Sequence, residues 1–306
     1  MPLKPCFQVL GLGEVLWDLL PSGAQLGGAP ANFSCHTAAL GASAGLISQV
    51  GRDALGEEAI QRLRQRGLKL GGITVDPNRP TGTVAVTVDS SGHPRFRIAE
   101  NSAWDGIQAT AEAQKLVSAA SAICFGSLGQ RTQGGSAAIQ QLVAAARPSA
   151  LRVFDVNLRT PFYTEKVITQ SLELANVLKL NETELPVLSV YYRLPGSPEE
   201  QLETLANRFE LDVVALTLGA AGSKLWRDGV WTTEPARTVV VKDAVGAGDS
   251  FTAALVMGLL HQWETPALLA AASEISAFVC TQPGATPDLP TGFLERFQSP
   301  AHAAPR

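Results

Sequence analysis

Asp249 and the two glycines just before it, Gly246 and Gly248, are the residues whose types and spacing point most openly to chemistry. They stand in the run Asp243-Ala244-Val245-Gly246-Ala247-Gly248-Asp249-Ser250-Phe251. Two glycines within three residues let the backbone turn sharply and let a ligand come close. Phe251, Leu255 and Leu259 then recur at helical spacing, so the turn opens a helix. The first amides of a helix lack partners within it, and the helix dipole favours an anion there. Amides of Gly246, Ala247 and Gly248 can hold the charge of a transferring phosphoryl group while Asp249 accepts a proton from a hydroxyl. A first-turn acid that only complements the dipole is the other reading of Asp249, and local chemistry leaves the two level.

The elements that must position this turn can be read along the chain. Thr238-Val239-Val240-Val241 reads as a short β-branched strand leading into it. The first strand falls over 8–12, and Glu14 to Leu20 continue as an extended run. Gly11 and Gly13 lack the third glycine of a dinucleotide fingerprint, and no helix follows them. Gly27-Gly28-Ala29-Pro30-Ala31-Asn32 introduces a helix of small residues. Asn32 can offer both a donor and an acceptor to adjacent hydroxyls, or the turn can be an ordinary helix start. A strand over 44–50 and a helix over 57–66 follow, the helix ending at Gly67. The segments 81–88 and 94–98, around a turn at Ser91-Gly92, read as an antiparallel hairpin. With the Glu14 run they make a small β lid, discontinuous in sequence, over about 14–33 and 81–104 of a single 1–306 domain. Such a lid would exclude water from a reaction centre.

From residue 111 helices and strands alternate: helices over 111–119, 136–146, 164–174 and 199–209, strands over 122–125, 151–155, 176–180 and 213–217. This order predicts an α/β fold, a doubly wound, mostly parallel sheet with helices on both faces. Ligands in such sheets sit at the carboxyl ends of the strands. Those ends carry Gly126-Ser127, Asp155 with Asn157 and Arg159, Asn181 with Glu184, and Thr217 with Gly219 and Gly222. Any one of these can be a helix cap, and Asn181 with Glu184 has nearly capping-box spacing. Together they form the polar edge expected of a site. A last long helix is expected over 266–280, and the tail 299–306 as a frayed end.

Bulk properties narrow the class. The chain has 306 residues, 45% of them hydrophobic and 17% charged, which is ordinary for a globular protein with a large core. A net charge of −4 argues against a nucleic-acid partner, which would need a basic face. No apolar run reaches the ~18 residues of a membrane span, and no signal peptide begins the chain. A cytoplasmic location is therefore expected, with no membrane partner. The four cysteines, Cys6, Cys35, Cys124 and Cys280, have no metal-binding spacing and read as reduced thiols.

The run around Asp249 resembles the second signature of the ribokinase-like (phosphofructokinase-B type) carbohydrate kinases, D-T-x-G-A-G-D-x-F. Ala244 stands where threonine is usual, which removes a hydroxyl and leaves the acid in place. Gly13 to Asp18 with Gly27 to Asn32 resembles the first signature, in the form most like fructokinases. The resemblance spans about 11–290. It implies ATP and Mg2+ as cofactors, a sugar as substrate, Asp249 as general base, and Asp18, Gly28, Asn32 and Asn157 near the sugar. Phe96 and Arg97 of the lid are candidates to pack on the sugar face and to bind its hydroxyls, and a solvated edge strand is the other reading of them. Arg159 would hold the phosphate or the sugar. Asn181 and Glu184 resemble the N-x-x-E motif, with Glu184 acting on Mg2+ through water. Thr217, Gly219 and Gly222 would lie against the ATP phosphates and ribose, with adenine between the Gln282-Pro283-Gly284-Ala285 segment and Val239. Asp243, Val245 and Gly284 resemble a monovalent-cation site for K+. A homodimer joined through the lids is a further implication. The activity implied is fructokinase. A 2-keto-3-deoxygluconate or nucleoside kinase, and a non-catalytic binder, are the rivals.

Overall fold

The alternation of apolar strands with amphipathic helices closes into one large sheet with helices on both faces. The computed structural model describes residues 7–21, 23–88 and 94–298, with the backbone alone at 86–88 and 94–96. Nine strands form the main sheet: β1 (Gln8–Leu12), β4 (Ser43–Gly51), β5 (Ile73–Asp76), β8 (Ala122–Gly126), β9 (Leu151–Asp155), β10 (Val177–Asn181), β11 (Val213–Thr217), β12 (Ser223–Arg227) and β13 (Val230–Glu234). Their order is β13-β12-β11-β10-β9-β8-β1-β4-β5. The pairings from β11 across to β5 are parallel, and β12 and β13 add an antiparallel edge. The central strands are buried on both faces, which explains their continuous apolar runs.

One face is covered by α1 (Ala29–Ala39), α8 (Ala247–Leu260) and α9 (Thr265–Cys280). Helix α8 packs between the other two. Phe33, Phe251, Leu255, Leu268, Ile275 and Trp263 form the core there. The other face holds α3 (Ala111–Ala119), α4 (Gln133–Ala144), α5 (Glu165–Leu174), α6 (Leu185–Tyr192) and α7 (Pro198–Phe209) over Phe125, Phe154 and Leu180. Helix α2 (Ala54–Gln65) covers a smaller cluster around Trp17 and Val50. Helix α10 (Thr291–Gln298) ends the described chain.

A second sheet has the order β3-β2-β6-β7, from β2 (Leu16–Leu20), β3 (Gly23–Gly27), β6 (Gly82–Val88) and β7 (Pro94–Ile98). The β2–β3 and β6–β7 pairings are antiparallel, whereas β2 and β6 run parallel, so two hairpins from distant parts of the chain meet side by side. Residues 29–33 belong to α1 rather than to this sheet. The turn expected at Ser91-Gly92, the tail 299–306 and Cys6 lie outside the described residues. Cys35, Cys124 and Cys280 are free thiols. Among the described residues no helix is long and apolar enough to cross a membrane.

One expected strand is absent. Residues 238–241 have no strand pairing, and Val240 and Val241 are 83% and 60% exposed. Pro235 directly follows β13 and offers no N–H to extend its ladder. β-branched residues favour strands where they can pack on a pleated, half-buried surface, and this segment has none. Its backbone is tied instead through Lys242 and Asp243, whose amides donate to the Cys280 carbonyl at 2.8 and 3.3 Å.

Candidate active site

The turn into α8 has the geometry of an anion cradle. Gly246 caps the helix in the left-handed region, at φ +79°. A side chain is impossible there, because a Cβ would lie 2.1 Å from the Ala285 carbonyl oxygen. Among the described residues the amides of Gly248 and Asp249 have no acceptor, as the first turn of a helix dictates.

Asp249 occupies the first turn of α8, and its Oδ2 accepts a 2.8 Å hydrogen bond from Asn32 Nδ2 of α1. The two residues are 217 positions apart, so this one bond joins the two motifs singled out in the sequence. Burial and the neighbouring Asp155 raise the Asp249 pKa to about 6, against the lowering pull of Asn32, Lys179 and Arg159. A carboxylate poised there is ionised at neutral pH and is a stronger base than an exposed aspartate.

Beneath the cradle lies a buried polar network. Lys179 Nζ donates to Asp155 Oδ1 at 3.0 Å, with both side chains 7% exposed. Thr252 Oγ1 stands 2.9 Å from Asp155 Oδ2 and 3.0 Å from the Gly248 carbonyl, and its one proton serves both. A Cβ on Gly248 would lie 3.1 Å from Lys179 Nζ. Strands β9 and β10 thus pin the first two turns of α8. Burial alone would discharge Lys179, but Asp155 and Glu184 outweigh it and hold its pKa above the ordinary value. Lys179 escaped the sequence reading. Its one signal was a lone charge in the apolar run Val177-Leu178-Lys179-Leu180.

Glu184 is also buried. Its Oε1 accepts the Leu158 amide at 3.0 Å and its Oε2 the Asn181 amide at 2.9 Å, while Asn181 Oδ1 accepts from Thr183 and Glu184. The capping-box spacing thus closes the turn 181–184 ahead of α6 by reciprocal bonds, and Glu184 also anchors the loop that carries Arg159. Burial raises the Glu184 pKa, and Lys179 offsets part of that. Arg159 is exposed, and among the described residues its guanidinium bonds only to its neighbour's carbonyl, Leu158. Asn157 sits in the left-handed region at φ +42° and accepts from Ser127 Oγ at 3.3 Å. Thr217 ends β11, Gly219 lies beside Glu182, and Gly222 packs against the Glu234 backbone of β13.

A second residue that the sequence did not single out, an acid, stands at the topological switch point between β1 and β8. Glu14 is 2% exposed, its Oε1 accepts from the Ala29 amide at 3.3 Å, and its Oε2 has no hydrogen-bond partner among the described residues. Burial pushes its pKa to about 7, with Arg159 opposing and Asp249 adding to the rise. Asp18 is half-buried in β2, and its pKa is raised by burial against the pull of Arg159, with Asp243 adding to the rise. Gly28, at φ +104°, packs on the Glu14 carbonyl. Arg97 is exposed on β7. Phe96 belongs to β7 by its backbone, and the contact expected of its ring lies outside the described residues.

Asp243 draws two turns together, its Oδ1 accepting from Val245 N and its Oδ2 from Gly284 N, both at 3.0 Å. Among the described residues no group of three or more His, Cys, Asp or Glu side chains can hold a metal.

A helix-capping anion cradle with a carboxylate inside it, at the carboxyl edge of a doubly wound sheet, is the layout of a phosphotransferase. Residues 23–292 match the model of the pfkB family carbohydrate kinases, and the chain belongs to that family. It is a sugar phosphotransferase. The chain is 30% identical to a fructokinase of Klebsiella pneumoniae, over 91% of this chain and 95% of that one. It is 28% identical to fructokinase-1 of Oryza sativa subsp. japonica, over 92% and 94%. The fold is similar to that of a sugar kinase of Pyrococcus horikoshii solved in complex with ATP, with a TM-score of 0.77 and 27% identity over 91% and 94%.

Proposed function

We propose that the chain transfers the γ-phosphoryl group of ATP to a primary hydroxyl of fructose, giving fructose 6-phosphate and ADP. The observation that carries the transfer is the Asn32–Asp249 hydrogen bond beside the unpartnered Gly248 and Asp249 amides. Asn32 orients the carboxylate. Asp249 takes the proton from the sugar hydroxyl as that oxygen attacks phosphorus. The amides of the Gly246-Ala247-Gly248 turn, with Lys179 close by, receive the charge gathering on the phosphoryl oxygens. Arg159 holds the phosphate or the sugar from the opposite loop. Thr217, Gly219 and Gly222 line the way for the remaining ATP phosphates.

Magnesium, when bound, would neutralise charge on the ATP phosphates, with Glu184 the residue that would meet it through water. Asp243 with the carbonyls of Val245 and Gly284 would hold a K+ ion. The second sheet acts as a lid that closes over the sugar and keeps water from taking the phosphoryl group. Asp18, Gly28, Asn157, Phe96 and Arg97 meet the sugar.

Fructose is favoured by the Gly-Gly-Ala-Pro-Ala-Asn run and by two fructokinases matched over most of their length. A second reading, an acidic sugar such as 2-keto-3-deoxygluconate, is favoured by the exposed guanidinium of Arg159, which donates to a backbone carbonyl and to no carboxylate among the described residues. A coupled ADP-release assay over fructose, 2-keto-3-deoxygluconate, ribose and a nucleoside decides between them. The highest kcat/KM is expected with fructose. A higher value with the acidic sugar overturns the fructose assignment, and no turnover with any of the four overturns the kinase reading.

A further inference from the structure

We infer that His36 is a positioning residue for phosphoryl transfer, gripping the anion cradle from behind through Ala285. This inference rests on the kinase reading of the α8 turn, and it concerns a residue that the reaction scheme leaves unused.

His36 lies one helical turn beyond Asn32 on α1, so both side chains leave the same face of that helix. Asn32 reaches Asp249 directly. His36 is 1% exposed, and its Nε2 lies 2.9 Å from the Ala285 carbonyl oxygen. A carbonyl carries no proton, so the ring nitrogen is the donor. Burial lowers the ring's pKa to about 4, which keeps it neutral at working pH with its single N–H committed to Ala285.

Ala285 is not a remote anchor. Its backbone touches Gly246 so closely that any side chain at the α8 cap would collide with it. The neighbouring Gly284 amide donates to Asp243, which also accepts the Val245 amide. Residues 243–246 and 284–285 therefore form one clamp, and its outer side is fastened to α1 by a single imidazole hydrogen bond. Helix α1 thus holds both halves of the reaction centre: the base through Asn32, and the cap of the amide cradle through His36. The two grips, one turn apart on one helix, set the orientation of the Asp249 side chain and the seat of the α8 cap against α1. Phosphoryl transfer is catalysed largely by such positioning.

The test compares His36→Leu, which fills the space without a donor, with His36→Gln, whose amide nitrogen can reach the position of Nε2. Expected for His36→Leu is a kcat lower by about 10- to 100-fold, the scale of a small misplacement at a reaction centre. Sugar and ATP KM values stay near wild type, and His36→Gln recovers most of the loss. Amide exchange of the ligand-free protein, followed by mass spectrometry, quickens over 243–248 in His36→Leu and returns in His36→Gln. If His36→Leu does not fold, His36→Asn, whose shorter amide falls short of Ala285, supplies the same contrast. The inference is overturned by an unchanged kcat, by a loss confined to KM, by equal losses in the donor and non-donor variants, or by unchanged exchange over 243–248. If the wild type turns over no sugar, the kinase reading falls by itself, and the exchange arm still decides the role of His36.

Discussion

The two ends of the candidate site are built on opposite plans. At the phosphate end, Asp155, Lys179, Glu184 and Thr252 are buried, and each is bonded to another element. At the sugar end, Asp18 is half-buried, Arg159 is exposed, and Arg97 stands on an outer strand of a separate sheet. The first plan spends folding energy on desolvated charge to fix atoms in place. The second leaves side chains free to be exchanged without disturbing a core. On the proposed reading, the transfer chemistry is held by the first plan, and the choice of sugar falls partly to side chains that can change without disturbing a core.

The sharpest way to break this comparison is Asp249→Asn. Loss of a general base lowers kcat by about 10²–10⁴-fold, and the Asn32 contact can be kept by an amide oxygen. Near-normal turnover would remove Asp249 from the chemistry. In the wild type, kcat/KM is expected to rise with pH through about 6 as Asp249 loses its proton. Its folded pKa lies above the unfolded value of 3.8, so the stability it contributes is present below 3.8 and lost as pH rises through about 6. Ionised Asp249 therefore burdens the fold at pH 7. The asparagine variant should be more stable there by about 1–3 kcal/mol, read by urea unfolding, and the gain should vanish near pH 3.

Next in size is Lys179→Met, which strands Asp155 as an unpaired buried charge and costs about 3–5 kcal/mol of stability. Adding Asp155→Asn should give back part of that cost, since a neutral pair needs no ion partner. Strictly additive losses in a double-mutant cycle would show that the pair is not coupled.

Glu14→Gln tests the switch point. The amide oxygen can still accept from Ala29, but no charge is buried. Because Glu14 titrates at about 7, above the ordinary 4.5, its ionised form weakens the fold above that pH. The variant should gain about 1–3 kcal/mol over wild type at pH 8.5 and little at pH 4. A gain independent of pH would mean that the charge is not the burden.

How much of this was legible follows from where each residue finds its partners. The parallel sheet could be read because the strands from β8 to β11 are largely apolar runs with helices standing between each and the next. The Asp249 turn could be read because glycine spacing and helix onset are local. The antiparallel edge went unread, although Asp228-Gly229 between β12 and β13 is a hairpin signal, with both residues at positive φ, +53° and +78°. Residues 238–241 misled because strand propensity says nothing about whether an edge is available to pair. Glu14, His36 and Lys179 stayed hidden because none belongs to a local polar pattern of its own, and the meaning of each depends on a partner brought close by the fold.

The smallest expected effect comes from the sugar end, at Arg97→Ala. Arg97 is exposed on β7, so its removal leaves no cavity and no unpaired buried group, and the melting temperature should not move. If the lid brings it to the sugar hydroxyls, the loss is one surface-type hydrogen bond, and sugar KM rises by about tenfold with kcat nearly unchanged. A fall in kcat of the Asp249→Asn size would make the lid part of the transfer chemistry and erase the division between the two ends. No change in KM would place sugar recognition on the half-buried Asp18 and on Arg159 instead. Arg159→Ala then discriminates further, because an acidic sugar would lose far more affinity by it than a neutral one.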